Sequence, residues 1–128
     1  MSYYFSKILD TDFNTAIEKV TEELKNHGFG VLTTINVKDT LKKKLDLDFR
    51  DYTILGACNP PFAYKALSAE NKIGVMLPCN VIVQSTDDGR IEVAAVDPIA
   101  SMQAVQNPAL AEVAGQVTQM LKDVIDSL

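Results

Sequence analysis

Two cysteines, each followed by an asparagine, are the residues of this chain best suited to chemistry. Cys58-Asn59-Pro60-Pro61 closes the apolar run Tyr52-Thr-Ile-Leu-Gly-Ala, and Pro78-Cys79-Asn80 follows the second apolar run Ile73-Gly-Val-Met-Leu. Asn59 reads as the cap of a helix whose first turn accepts Pro60 and Pro61, because N–H groups there have no intrahelical acceptor. Cys58 is therefore expected beside a helix N-terminus, where amide hydrogens and the helix dipole favour a thiolate or a bound anion. Cys58, Asn59, Cys79 and Asn80 form the candidate ligand-binding set, with Cys58 as the candidate catalytic thiol. A packing role competes with this at each position. Free cysteine behaves as a small hydrophobe, Cys79 alternates with Val81 and Val83, Asn59 suffices as a cap and Asn80 as a strand-edge amide.

As a pair the thiols suit a redox couple, a thiolate metal site or a sulfur relay, and spacing in sequence does not choose among them. Neither C-x-x-C nor a four-ligand Cys/His pattern is present, so no metal and no cofactor are assigned. His27 is the sole histidine, and its place at a helix end reads more simply as a charge partner for that terminus than as a general base. Asp87 and Asp88 belong to a turn, and Asp46, Asp48 and Asp51 to a polar link, which leaves no glycosidase-type carboxylate pair. The glycine patterns of dinucleotide and nucleotide folds are missing. Lys42-Lys43-Lys44 reads as the wet face of a short helix.

The elements that position these residues follow from periodicity. Tyr3 to Leu9 predicts a first strand, Asp10-Thr11-Asp12 a cap, and Phe13, Ala16, Ile17, Val20 and Leu24 a helix face ending at His27-Gly28. Phe29, Val31, Thr33, Ile35 and Val37 alternate, which predicts a second strand with all five on one side. Lys38 to Leu45 is expected as a short helix capped by Asp39 and packed through Leu41 and Leu45. Tyr52 to Cys58 is the third strand and Pro60 to Ala69 the helix after it. Ile73 to Leu77 and Cys79 to Thr86 read as one strand bent at Pro78, with Cys79, Val81 and Val83 inward. Asp87-Asp88-Gly89 signals a hairpin into a strand with Ile91, Val93 and Ala95 on one side, and Leu110 to Leu128 outlines a long amphipathic helix after Asn107-Pro108. The expected fold class is α+β: a mostly antiparallel curved sheet of about five strands with helices packed on one face. Tyr52, Asn80, Gln84, Arg90 and Glu92 are expected on the other, open face.

At 128 residues the chain has the size of one domain, 1–128, with a real core. With 47% hydrophobic and 23% charged residues it resembles ordinary globular proteins rather than disordered or membrane-spanning ones. The N-terminal segment lacks the pattern of an export signal and no apolar run is long enough to span a bilayer, so no membrane is expected and the cytoplasm is the default location. Two cysteines in such a chain are expected as reduced thiols. The net charge of −5 argues against nucleic acid as a partner, since phosphate-backbone binding rests on clustered Lys and Arg. A sheet covered on one face leaves apolar area on the other, and twofold pairing into a homodimer is the expected way to hide it.

The chain resembles the uncharacterised prokaryotic family known as domain of unknown function 302. The resemblance is carried by Gly56-Ala57-Cys58-Asn59-Pro60 followed by Ala63, by Leu77-Pro78-Cys79-Asn80-Val81, by Lys25-Asn-His-Gly28-Phe29-Gly30-Val31-Leu32 and by Leu41-Lys-Lys-Lys-Leu45. It covers nearly the whole length. It implies a small α+β domain resembling the TATA-binding-protein-like arrangement, and it implies no established activity. The functional expectation is a small-ligand or thiol-linked binding module taking a small anionic or thiol-reactive ligand. A thiol enzyme or sulfur-transfer component using Cys58, and a non-catalytic interaction domain, are the alternatives.

Overall fold

A computed structural model describes residues 2–128. Five strands, β1 (Tyr4–Leu9), β2 (Gly30–Asn36), β3 (Tyr52–Cys58), β4 (Cys79–Ser85) and β5 (Ile91–Val96), form one sheet in the order β1-β5-β4-β3-β2, and every neighbouring pair is antiparallel. Helix α1 (Phe13–Asn26) carries the chain from one sheet edge to the other, and α2 (Val37–Leu45) links β2 to β3. Helix α3 (Pro60–Ala69) and a single 3-10 turn link β3 to β4, while α4 (Pro98–Ser101) and α5 (Pro108–Asp126) follow β5. The fold is α+β with the helices on one face of an open sheet, as the periodicity predicts.

The core lies between that face and the helices α1 and α5. Leu55 and Ala57 of β3, Val81 and Val83 of β4, and Val93 and Ala95 of β5 are buried against Ala16, Val20 and Leu24 of α1 and Val117, Leu121 and Val124 of α5. The strand residues recur at a spacing of two and the helical ones at three and four, so one alternation and one stripe meet. Asp12 caps α1 through its side chain, and α1 ends at His27 and Gly28, where φ of +85° suits glycine. Lys7 hydrogen-bonds the carbonyls of Asp126 and Leu128, placing a cation at the C-terminal end of α5, where the helix dipole favours it.

Five local expectations are corrected. A bulge between Val31 and Thr33 inserts Leu32, so Phe29 and Val31 pack inward while Thr33 pairs with Gly56 on the open face; the alternation breaks because one extra residue reverses every later side chain. Val37 already belongs to α2. Helix α2 is capped by Asn36, whose side chain accepts the N–H of Asp39, and Leu45 is exposed rather than packed. Ile73–Met76 is a 3-10 turn, not a strand: Val75 and Leu77 donate to the carbonyls of Lys72 and Gly74, and Ile73 is buried in a satellite cluster with Ala66 and Leu110. A short apolar run serves either geometry, and here a local cluster decides.

Candidate functional site

Strand β3 ends at Cys58, where Asn59 caps α3 by accepting the Phe62 N–H at 3.4 Å. Strand β4 begins at Cys79, whose cross-strand partner is Ala57, so the two cysteines stand one residue apart across the β3–β4 ladder. Cys79 has the inward parity of Val81 and Val83, as expected. Both cysteines are free and half-buried. They border the same cavity, of about 320 Å³, enclosed between the sheet end, α3 and α5 and open on one side.

The cavity exists because small residues stand where three elements converge. Ala57 of β3, Ala63 and Ala66 of α3 and Ala114 of α5 all line it, and none is large enough to fill the space between helix and sheet. Phe62, Leu77, Val113 and Val117 supply the rest of the apolar wall, and Leu32 and Leu67, 67% and 45% exposed, mark the mouth. Among the described residues, the only ionisable groups in the lining are the two thiols. The alanine content of α3 and its place after a strand end were the signal available in sequence for this cavity.

Burial pushes the Cys79 thiol up to about 11 from 9.0, and the neighbouring Cys58 charge adds to that rise. Cys79 therefore stays protonated at neutral pH. The helix start beside Cys58 offers less to an anion than the sequence suggests. Pro60 and Pro61 have no N–H, the Phe62 N–H is taken by the Asn59 side chain, and the Ala63 N–H goes to the Asn59 carbonyl at 2.9 Å. No backbone donor of the first turn is left free.

Asn80 is not brought to this site. Alternation turns it to the opposite face of β4, where it is exposed and borders a groove with Tyr52, Gln84 and Glu92. Those four are the open-face residues expected from sequence, whereas Arg90 lies in the turn before β5 and pairs with Asp88 at 3.2 Å. His27 does not line the cavity; its Nδ1 lies 2.8 Å from the Glu23 carbonyl, at the end of α1. Among the described residues no three His, Cys, Asp or Glu side chains gather as they would to hold a metal ion, and no helix is long and apolar enough to cross a membrane.

The family model for the domain of unknown function DUF302 matches residues 5–128. The chain belongs to the DUF302 family. A crystal structure of an uncharacterised conserved DUF302 protein from Bacillus stearothermophilus is 31% identical and superimposes with a TM-score of 0.91, covering 98% of each chain. No curated protein matches the chain. In this chain the paired motifs around Cys58 and Cys79 coincide with the end of the β3–β4 ladder and the start of α3.

Proposed function

We propose that this DUF302 domain binds a small, uncharged, predominantly apolar molecule in the cavity bordered by Cys58, Asn59 and Cys79. The supporting observation is the lining: about 320 Å³ of space walled by apolar side chains, within the size range of small-ligand sites, with no ionisable neighbour except the thiols. An anion would find no free donor at the α3 terminus, so the thiol-reactive, neutral class fits better than the anionic one. Cys58 supports a thiol-linked mode. Its sulfur adds to the β-carbon of an activated double bond, the C=C π bond opens, and the thiol proton ends on the α-carbon, so nothing is oxidised. An enzyme reading lacks a base in the wall: the cavity lining contains neither a histidine nor a carboxylate.

The test is labelling with N-ethylmaleimide, read by intact mass across pH in the wild type and in Cys58→Ser and Cys79→Ser, with and without a neutral apolar competitor. Cys58 is expected to label faster and at lower pH, and the competitor to slow it. Ala63→Leu, which fills the cavity from α3, is expected to remove the competitor's effect while far-UV circular dichroism stays unchanged. Equal thiol rates, or reaction only after unfolding, would reduce Cys58 to a packing residue; competition surviving in Ala63→Leu would move the binding elsewhere.

A further inference from the structure

The open face of the sheet is built unlike a surface meant for water alone. Tyr4 and Ile8 of β1, Ala94 and Val96 of β5, Ile82 of β4 and Ile54 of β3 share the outward parity fixed by the ladder register. Tyr3 and Tyr4 stack edge to face with centroids 5.1 Å apart, 69% and 43% exposed, and form a ridge along the β1 side. Beside the ridge runs a groove of about 430 Å³, floored by Ile82 and Ala94 and bounded by Tyr52. The charges of this face cancel: Arg50 Nε donates to Gln84 Oε1 at 3.0 Å and Gln84 Nε2 donates to Glu92 Oε1 at 2.8 Å, linking one cation to one anion through an amide. Two such faces meet without placing like charges in direct contact, although each chain carries a net charge of −5.

We infer that a second copy of this chain covers the open sheet face, the Tyr3–Tyr4 ridge of each copy seated in the groove of the other. A ridge beside a groove is self-complementary about a twofold axis, which gives the isologous contact that dimers use. The surface area supplies the second argument. A folded monomer of this size exposes about 6,700 Å². This chain exposes 7661 Å², roughly 1,000 Å² more, an excess over the whole surface to which Tyr3, Tyr4 and Ile8 on this face contribute together with Leu32, Leu45, Tyr64 and Val75 elsewhere, and a standard interface buries ~800 Å² of each partner. Aromatic side chains entering a groove are also the anchors on which such interfaces depend. The inference does not depend on the cavity at Cys58.

Sedimentation velocity on the full chain at tens of micromolar is the test, with dilution to find the dissociation midpoint. The wild type is expected as a dimer. Tyr3→Ser/Tyr4→Ser and Ile82→Lys are each expected to weaken it by about tenfold or more, with circular dichroism unchanged. Val75→Ser, at an exposed apolar position outside this face, is expected to leave it intact. Three of the four tyrosines are in the ridge and groove and the chain has no tryptophan, so tyrosine emission should follow the same midpoint. A wild-type monomer throughout the range would overturn the inference. So would a dimer indifferent to the tyrosine pair, which is exposed and dispensable to the core even if Ile82→Lys does not fold. A small molecule retained in the groove of a monomer would overturn it as well.

Discussion

The two faces of the sheet are made by the same strands, and neighbouring residues on one strand live under opposite constraints. Val81 and Val83 are fully buried against α1 and α5, while Asn80, Ile82 and Gln84 between and beside them face outward. On the helix-covered face, volume is set by packing, because a buried methylene more or less is felt directly. On the open face Asn80 is exposed and Ile82 and Gln84 are only partly buried, so side-chain volume is less tightly constrained there. The covered face thus explains how the chain folds. The cavity at its end and the open face opposite are where the fold leaves room for something else.

Truncation should separate the faces most sharply. Leu55→Ala removes a side chain that is 1% exposed in the main core and is expected to cost about 2–5 kcal/mol. Ile82→Ala, on the adjacent strand but the other face, should cost roughly half of that or less when the protein is dilute enough to be monomeric. Urea unfolding at low protein concentration measures both. Equal losses would mean that the open face is as tightly held as the core.

Gly56 sharpens the comparison, because it has open-face parity yet is buried. A Cβ there would run into Thr33 Oγ1 and come within 2.8 Å of Pro78 Cγ, so this position requires glycine for space rather than for backbone angle. Gly56→Ala is expected to destabilise by about 1–3 kcal/mol through overpacking. Thr33→Ala in the same chain should recover part of that, since a shorter neighbour withdraws the first obstacle. A neutral Gly56→Ala would show that the sheet relaxes freely where β2, β3 and Pro78 meet.

How much of this was visible in the sequence depended on whether a signal was local. Strand β3, the Asn59 cap, the Pro60–Pro61 start of α3, the Asp88–Gly89 hairpin and the stripe of α5 are written in adjacent or periodic residues, and the structure has them where those residues place them. The bulge at Leu32 is not written in this way, because nothing in Gly30-Val-Leu-Thr-Thr marks the extra residue; it is fixed by the partner strand β3. Ile73–Met76 is a short apolar run compatible with a strand, and it turns instead because Ile73 packs in a cluster with Ala66 and Leu110. At the candidate site, the convergence of Cys58 and Cys79 was only a possibility of strand ends, and it became a fact through the register Ala57↔Cys79. Asn80 does not join them, because the alternation of β4 turns it to the other face. The loss of free donors at α3 was readable, since two prolines and a capping asparagine consume or remove the first-turn N–H groups.

The smallest expected effect concerns Cys79 alone, the residue where covered face and cavity meet. Burial, and to a smaller extent the Cys58 charge, pushes its thiol from 9.0 up to about 11. Between those two values the unfolded chain has given up a proton that the folded chain retains, so stability falls as pH rises through that window. The contribution is intact below pH 9 and gone once the folded thiol ionises. Cys79→Ala should therefore show a flatter decline in stability over this window than the wild type, with lysine titration common to both. Cys58→Ser supplies the finer cut: removing the neighbouring charge should bring the Cys79 midpoint, followed by thiolate absorbance, down from about 11 yet leave it above 9.0. If Cys58→Ser returned Cys79 to an ordinary thiol, proximity of the two sulfurs would outweigh burial, and the cavity wall at β4 would be wetter than its packing against Val81 and Val83 implies.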